Sequence, residues 1–234
     1  GEPRDFDAED WWFETRFECE GPASGETVAL RFAGLATLTA VWLNGVPILA
    51  SENMFLEHLV DVAHLLREKN HLVIVARSIN AFLAVRRPRP RWRTPMVANQ
   101  QLRWLRTTLL GRTPGWSPPA APVGPWRPIH LLRRRRPFIE DLRLDVSATD
   151  TDGLLDCSLQ FSGAKIDDVA SVAVAATRGD ECSRVPLSFD ARTGRWAARL
   201  VVPGAQLWWP HTHGEPALYQ ARIEATLRTH GRMD

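Results

Sequence analysis

A chain of 234 residues with 44% apolar side chains can bury a real core, as one large β domain or two ordinary ones, which excludes a disordered or low-complexity polypeptide. Lys and Arg number 29 against 27 acidic residues, and a net charge of +2 excludes an overall polyelectrolyte. No apolar run is long enough to span a bilayer, and the opening GEPRDFDAEDWW is acidic and polar, unlike a secretory leader.

In chain order, Trp12 to Glu18 alternates, with Phe13, Thr15 and Phe17 on one face and Glu14, Arg16 and Glu18 on the other; this predicts a half-buried strand. Val28 to Phe32 predicts another. In TLTAVWLNGVPILA two β-rich runs flank Asn44-Gly45, a dipeptide that favours a type I′ hairpin turn because both central residues need φ > 0. Asp61 is placed to cap one helical turn with Leu65 and Leu66 facing inward. HLVIVAR, from His71, is a near-continuous β-branched run and predicts a central strand. RRPRPRWRTP cannot be a core strand, and Leu102, Leu105 and Leu109 then recur at helical spacing, as a short helix or turn.

The stretch Gly111 to Leu132, GRTPGWSPPAAPVGPWRPIHLL, begins as a loop too rich in Pro and Gly for helix or interior strand, and returns to strand at Trp126. It carries one large aromatic, Trp116, near arginines. Such a loop is either a stiff sugar-binding surface or a crossover whose Trp plugs the core.

Beyond the run Arg133 to Arg136 and Pro137, which predict a domain junction, strands of similar length recur at the intervals of a β-sandwich. They are Ile139–Val146, Leu154–Phe161, Ser171–Ala176, Arg184–Phe189, Trp196–Val202 and Leu218–Leu227. Three cysteines, at 19, 157 and 182, lack a CxxC or zinc spacing and read as free buried thiols. His211 and His213 in HTHG read as a polar turn. No metal or cofactor is expected. There is no GxSxG elbow, no HExxH and no phosphate loop, and no carboxylate pair stands on β/α units, so no catalytic apparatus is complete.

From Ala81 to Ile139 there is no Asp or Glu while arginines recur. Arginines beside aromatics can engage nucleic acid; they also pair carboxylates across domain contacts, and the low net charge favours that. No nucleic-acid partner and no membrane partner is expected.

Several segments resemble one family. DAEDWWFETRF, VALRFAGLATLTAVWLNGVPILASENMF and DVAHLLREKNHLVIVAR resemble the amino-terminal sugar-binding domain of glycoside hydrolase family 2, in its β-mannosidase branch. VGPWRPIHL resembles the strand that closes that domain, and LWWPHTHGEPALYQARIEA resembles a motif of the following immunoglobulin-like domain. The resemblance implies an all-β fold: a jelly-roll (galactose-binding-like) sandwich over residues 1–135, then an immunoglobulin-like sandwich over 136–234, incomplete at its C-terminal end. A first strand is expected before Gly1 and a last strand after Asp234, followed by a catalytic (β/α)₈ barrel of the same polypeptide.

That barrel would carry both catalytic glutamates of a retaining exo-β-glycosidase, so this chain alone is expected to hold no catalytic residue. Its partners would be the barrel and, through the complete enzyme, carbohydrate. Trp116 matches the first Trp of the family's "GWDWGP" loop, and Ser117 stands where the family has an Asp that reaches the sugar subsite. Arg103 and Arg106, near basic positions of the family, are expected either to line the same face or to dock on the barrel. Trp126 and Arg127 are structural; Trp208, Trp209 and Pro210 would pack against the barrel. The alternative is a free-standing carbohydrate-binding module with Trp92, Trp104 or Trp116 stacking on a pyranose ring.

Overall fold

The computed structural model describes residues 4–88, 90–135, 137–228 and 231–233. Arg89 and Arg136, from the two arginine-rich stretches, lie outside the described residues. The chain divides into two compact units, Gly1–Arg134 and Arg135–Asp234. Both are built almost entirely of antiparallel strands.

The first unit is a jelly-roll sandwich. Its strands are β1 (Trp11–Glu18), β2 (Glu26–Phe32), β3 (Leu35–Ala36), β4 (Thr39–Leu43), β5 (Val46–Ser51), β6 (His58–Asp61), β7 (Lys69–Ala76), β8 (Gly124–Pro125) and β9 (Ile129–Arg135), with one short helix, α1 (Ile79–Ala84). One sheet runs β1-β7-β4-β5, a second β6-β2-β9, and β3 pairs with β8. The run HLVIVAR is central, as its composition predicts: Ile74 of β7 lies opposite Phe13 on one side and Val41 on the other. Leu30, Phe32, Leu35, Val41, Leu43, Leu72 and Ile74 form the core, with Phe13, Phe17, Ile129 and Leu131 packed against it. Burying side chains of this size contributes about 1.5–3 kcal/mol each relative to exposure.

The hairpin turn between β4 and β5 has Asn44 at φ 54° and Gly45 at φ 83°, the left-handed pair a type I′ turn requires. Asn44 does more than turn the chain. Its amide donates to Leu65 O at 2.8 Å and Asn70 Oδ1 at 3.0 Å, and its Oδ1 accepts from His71 N at 2.9 Å. Asp61 caps a single turn through Ala63 N at 2.9 Å, and Leu65 and Leu66 pack on the core.

Three elements depart from the predicted pattern. Helix α1 falls where no helix is expected, held by Ser78, whose hydroxyl accepts from Ala81 N at 3.1 Å; six residues are too few for a periodic signal. Leu102 and Leu105 are buried by a 3₁₀ turn over Gln100–Trp104, but Leu109 lies beyond it and is exposed. Trp126 to Leu132 is not one strand. β8 stops at Pro125, and Trp126 turns its indole N–H to Met54 O at 2.8 Å before β9 begins.

The second unit is an immunoglobulin-like sandwich of β10 (Phe138–Ala148), β11 (Asp152–Ser162), β12 (Val169–Arg178), β13 (Glu181–Pro186), β14 (Ser188–Asp190), β15 (Arg195–Pro203), β16 (Gln220–Leu227) and β17 (Gly231–Met233). The sheets run β10-β11-β15-β14 and β13-β12-β16-β17, which matches the A-B-E-D and C′-C-F-G order of such domains. Leu155, Leu159, Val172, Val174, Leu200 and Leu227 fill the space between them. Arg184 to Phe189 is two strands on opposite sheets rather than one. Pro186 ends β13, and buried Leu187, its N–H on Val172 O at 2.8 Å, carries the chain across to β14. The final strand, expected after Asp234, has already begun as β17, which pairs with β16. All three cysteines are free; Cys157 is buried as expected, but Cys182 is exposed.

Candidate functional site

The Pro-rich loop is a fixed structure at the rim of the first unit. Gly111 at φ 78° starts it, and a Cβ there would collide with the backbone of Ala120 and Ala121. Gly111 N donates to Ser117 Oγ at 2.9 Å, Trp116 N to Thr113 O at 3.1 Å, and Thr113 Oγ1 to Leu109 O at 3.1 Å.

Arg112 anchors the base. Its Nε and Nη2 donate to the two carboxylate oxygens of Asp7, each at 2.7 Å, and its Nη1 donates to Thr107 Oγ1 at 3.2 Å and Thr108 O at 2.9 Å. The side chains of the pair are only 5% and 10% exposed. Asp7 O in turn accepts from Asn80 N at 3.0 Å and Ser78 Oγ at 2.8 Å. The loop, the start of the chain and α1 therefore share one network.

The neighbouring segment is braced by Met54. It is buried; its N–H donates to Arg106 O at 3.0 Å, its carbonyl accepts from Trp126, and its sulfur accepts from Thr108 N at 3.0 Å. The Trp126 indole lies against Gly34, and Arg127 stacks over it at 4.3 Å from the ring centroid.

On this frame Trp116 is 79% exposed, which rules out the core-plug alternative. Ser117 lines a depression of about 280 Å³ with Asp7, Asn80, Asn99, Arg112 and Thr113. Its hydroxyl oxygen is occupied by Gly111 N but still has a proton to donate. Trp116, Arg103 and Arg106 do not line that depression. Arg103 stacks over Trp92 at 4.5 Å and donates to Gln100 O at 2.8 Å; Arg106 is exposed. Sequence reasoning missed Asp7 and Arg112, which build the loop. Asp7 lies 105 positions from its partner, and nothing in spacing links them.

In the second unit Trp208 and Trp209 are 56% and 51% exposed. Trp208 lines an apolar cleft of about 450 Å³ with Leu144, Val146, Leu207 and Tyr219. Exposed apolar area of this kind marks interaction surfaces. His211 and His213 fall in the turn before Gly214, with His213 Nδ1 hydrogen-bonded to Thr212 at 2.8 Å. Among the described residues no group of three or more His, Cys, Asp or Glu is placed to hold a metal ion, and no helix is long and apolar enough to cross a membrane.

A jelly-roll sandwich with a fixed aromatic loop on its rim belongs to the galactose-binding-like class of modules. A family model described as the glycosyl hydrolase 2 galactose-binding domain-like domain matches residues 3–127, and the chain belongs to that family. Among curated relatives, a β-mannosidase B from Thermothelomyces thermophilus is 30% identical over 234 residues, covering 93% of this chain and 25% of its own length. One from Aspergillus terreus is 28% identical, covering 94% and 26%. The chain thus spans about a quarter of the length of the curated relatives it matches. Among solved structures, a β-D-mannosidase from Dictyoglomus thermophilum superposes with TM-score 0.66 at 21% identity, covering 94% of this chain and 27% of that one. A Ruminococcus gnavus β-glucuronidase gives 0.58 at 20% identity, covering 98% and 34%. At these identities the two structures speak for the fold alone.

Proposed function

We propose that the two sandwiches are the non-catalytic amino-terminal part of a family-2 glycoside hydrolase of β-mannosidase type. They support a catalytic barrel of the same polypeptide and lend it the Trp116 loop. The observation that carries this is the loop itself: a largely exposed indole on a backbone anchored by a buried ion pair. Such an arrangement has no use in the core of its own unit, and it is preorganised to meet a ring-shaped ligand without an ordering cost.

Trp116 would stack against the substrate, and Ser117 would donate its remaining proton to a sugar hydroxyl. A serine supplies a neutral hydrogen bond where the resemblance implies a carboxylate, so the sugar is held more weakly at that position. Arg103 and Arg106 would take part as positively charged neighbours of the loop or as docking groups for the barrel. The chemistry of the complete enzyme, retaining hydrolysis by two barrel carboxylates, follows from the family resemblance.

The test is to assay this chain and the full-length protein on aryl β-D-mannosides. The expected result is turnover by the full-length protein only, with Trp116→Ala raising KM or lowering kcat/KM about tenfold or more. Turnover by this chain alone would contradict the proposal. A free-standing binding module is the second reading, favoured by the exposure of Trp92 and Trp104 at 64% and 49%. Titration of β-mannan oligosaccharides against tryptophan fluorescence separates the two: micromolar binding by this chain supports the module, and no response supports the brace.

A further inference from the structure

We propose that the first unit carries a second ligand site, a pocket for acidic sugars built on Arg86, Arg91 and Arg93 and separate from the Trp116 loop. The pocket has a volume of about 750 Å³ and is lined by Arg86, Arg87, Pro88, Pro90, Arg91, Arg93 and Gln101. That volume lies in the range of organic-ligand sites, about 300–1,000 Å³, and is far more than a bare inorganic ion fills.

The positive charge of this pocket is unmatched among the described residues. Arg31, Arg77, Arg112, Arg133, Arg195 and Arg199 each hold a carboxylate. Arg86, Arg91 and Arg93 have no such partner among the described residues, and from Ala81 to Ile139 the chain supplies no Asp or Glu. Guanidiniums gathered in one concavity repel one another and are matched by an anion, which they grip in a planar fork.

Hydrogen bonds hold described residues on both flanks of the pocket. Arg87 is spent on structure: its Nη1 donates to Phe82 O at 2.7 Å and Val85 O at 3.0 Å, and its guanidinium lies 3.6 Å from the Phe82 ring centroid. Gln101 Nε2 donates to Val85 O at 3.2 Å, and Trp104 Nε1 to Pro88 O at 3.1 Å. Gln100 pins the far end, its Oε1 accepting from Thr94 N at 3.1 Å and its Nε2 donating to Thr94 O at 2.9 Å. Pro88 and Pro90 fix φ between these staples.

Trp92, between Arg91 and Arg93, is 64% exposed and carries Arg103 at 4.5 Å from its ring centroid. Trp92 does not itself line the pocket; the cavity's size and its guanidiniums suit a ligand larger than a bare ion that carries a charged substituent: a uronate, or a sulfated or phosphorylated sugar. That the organic part is a sugar rests on the proposed function above; the requirement for negative charge does not.

The experiment is isothermal titration of this chain with trigalacturonic acid, with mannotriose, inorganic phosphate and oligothymidylate as comparison ligands. Trigalacturonic acid is expected to bind, mannotriose not to compete, and affinity to fall several-fold between about 50 and about 300 mM salt. The pair Arg91→Ala with Arg93→Ala is expected to weaken binding roughly tenfold or more, while Trp116→Ala leaves it unchanged. Both arginines are exposed, so the variant keeps its fold, checked by its unfolding midpoint. No binding of trigalacturonic acid, or binding that the double variant leaves intact, overturns the proposal. So does phosphate binding as tightly as the trimer, which makes the site a bare anion site, or oligothymidylate binding more tightly, which makes it a nucleic-acid surface. Loss of trigalacturonic acid binding in Trp116→Ala overturns the separateness of the two sites and leaves the family reading standing. Loss of aryl-mannoside turnover in the full-length protein bears on that reading alone.

Discussion

Replacing Asp7 with Ala tests whether the rim loop is held by one buried ion pair. In Asp7→Ala the Arg112 guanidinium remains almost wholly buried, keeps its charge, and loses the two 2.7 Å bonds from Nε and Nη2. Its Nη1 contacts to Thr107 and Thr108 persist but cannot neutralise it. Removing one partner of such a pair costs about 3–5 kcal/mol, mostly from the uncompensated charge left behind. For a unit of this size that is a fall of roughly 10–20 °C in its unfolding midpoint. The companion variant Asp7→Leu/Arg112→Met removes both charges and keeps the volume, and it recovers most of the loss. Calorimetry on this chain, with limited proteolysis across Gly111–Gly124, reads both the stability and the loop. A cost below about 1 kcal/mol for Asp7→Ala, or a double variant as unstable as the sum of its singles, would refute the ion-pair account.

Asn44→Gly keeps the left-handed turn but loses three side-chain hydrogen bonds, and should cost about 2 kcal/mol by urea denaturation. Gly34→Ala would set a methyl carbon 2.5 Å from Trp126 Nε1, whose ring is tied to Met54 O; a loss of about 1–3 kcal/mol is expected, with a changed Trp126 emission. Asp10 has its carboxyl held below the ordinary range, first by the Ser78 N–H and then by Arg77. Its contribution is therefore present at neutral pH and lost as pH falls through the depressed value, below about pH 4, so acid unfolding should be shallower in Asp10→Asn. Burial pushes the Cys157 thiol up while Cys182 is exposed, so a thiol reagent should label Cys182 in the native chain and Cys157 only on unfolding.

The β content was legible because it rests on short-range chemistry. Alternation in β1, the Asn44-Gly45 turn and the β-branched run of β7 each announce themselves within a few residues. The Pro-rich loop was legible for the same reason, since Pro and Gly exclude the alternatives locally. What connects it to the unit was not: Asp7 meets Arg112 across 105 positions, and the three faces of Met54 are used by residues 52 to 72 positions away. The break at Leu187 was hidden because Val185, Leu187 and Phe189 alternate evenly through it, and only the choice of sheet distinguishes one strand from two. Ser117 shows a different limit. Its position was marked by the residue it lacks, whereas its hydroxyl is the clasp that closes the loop on Gly111.

Asp7 sits on the stretch leading into β1, 105 positions from the arginine it holds. A latch there means that a disturbance just ahead of β1 reaches the loop that carries Trp116. Asp7 thus acts as a tether for an indole carried on a distant stretch of chain.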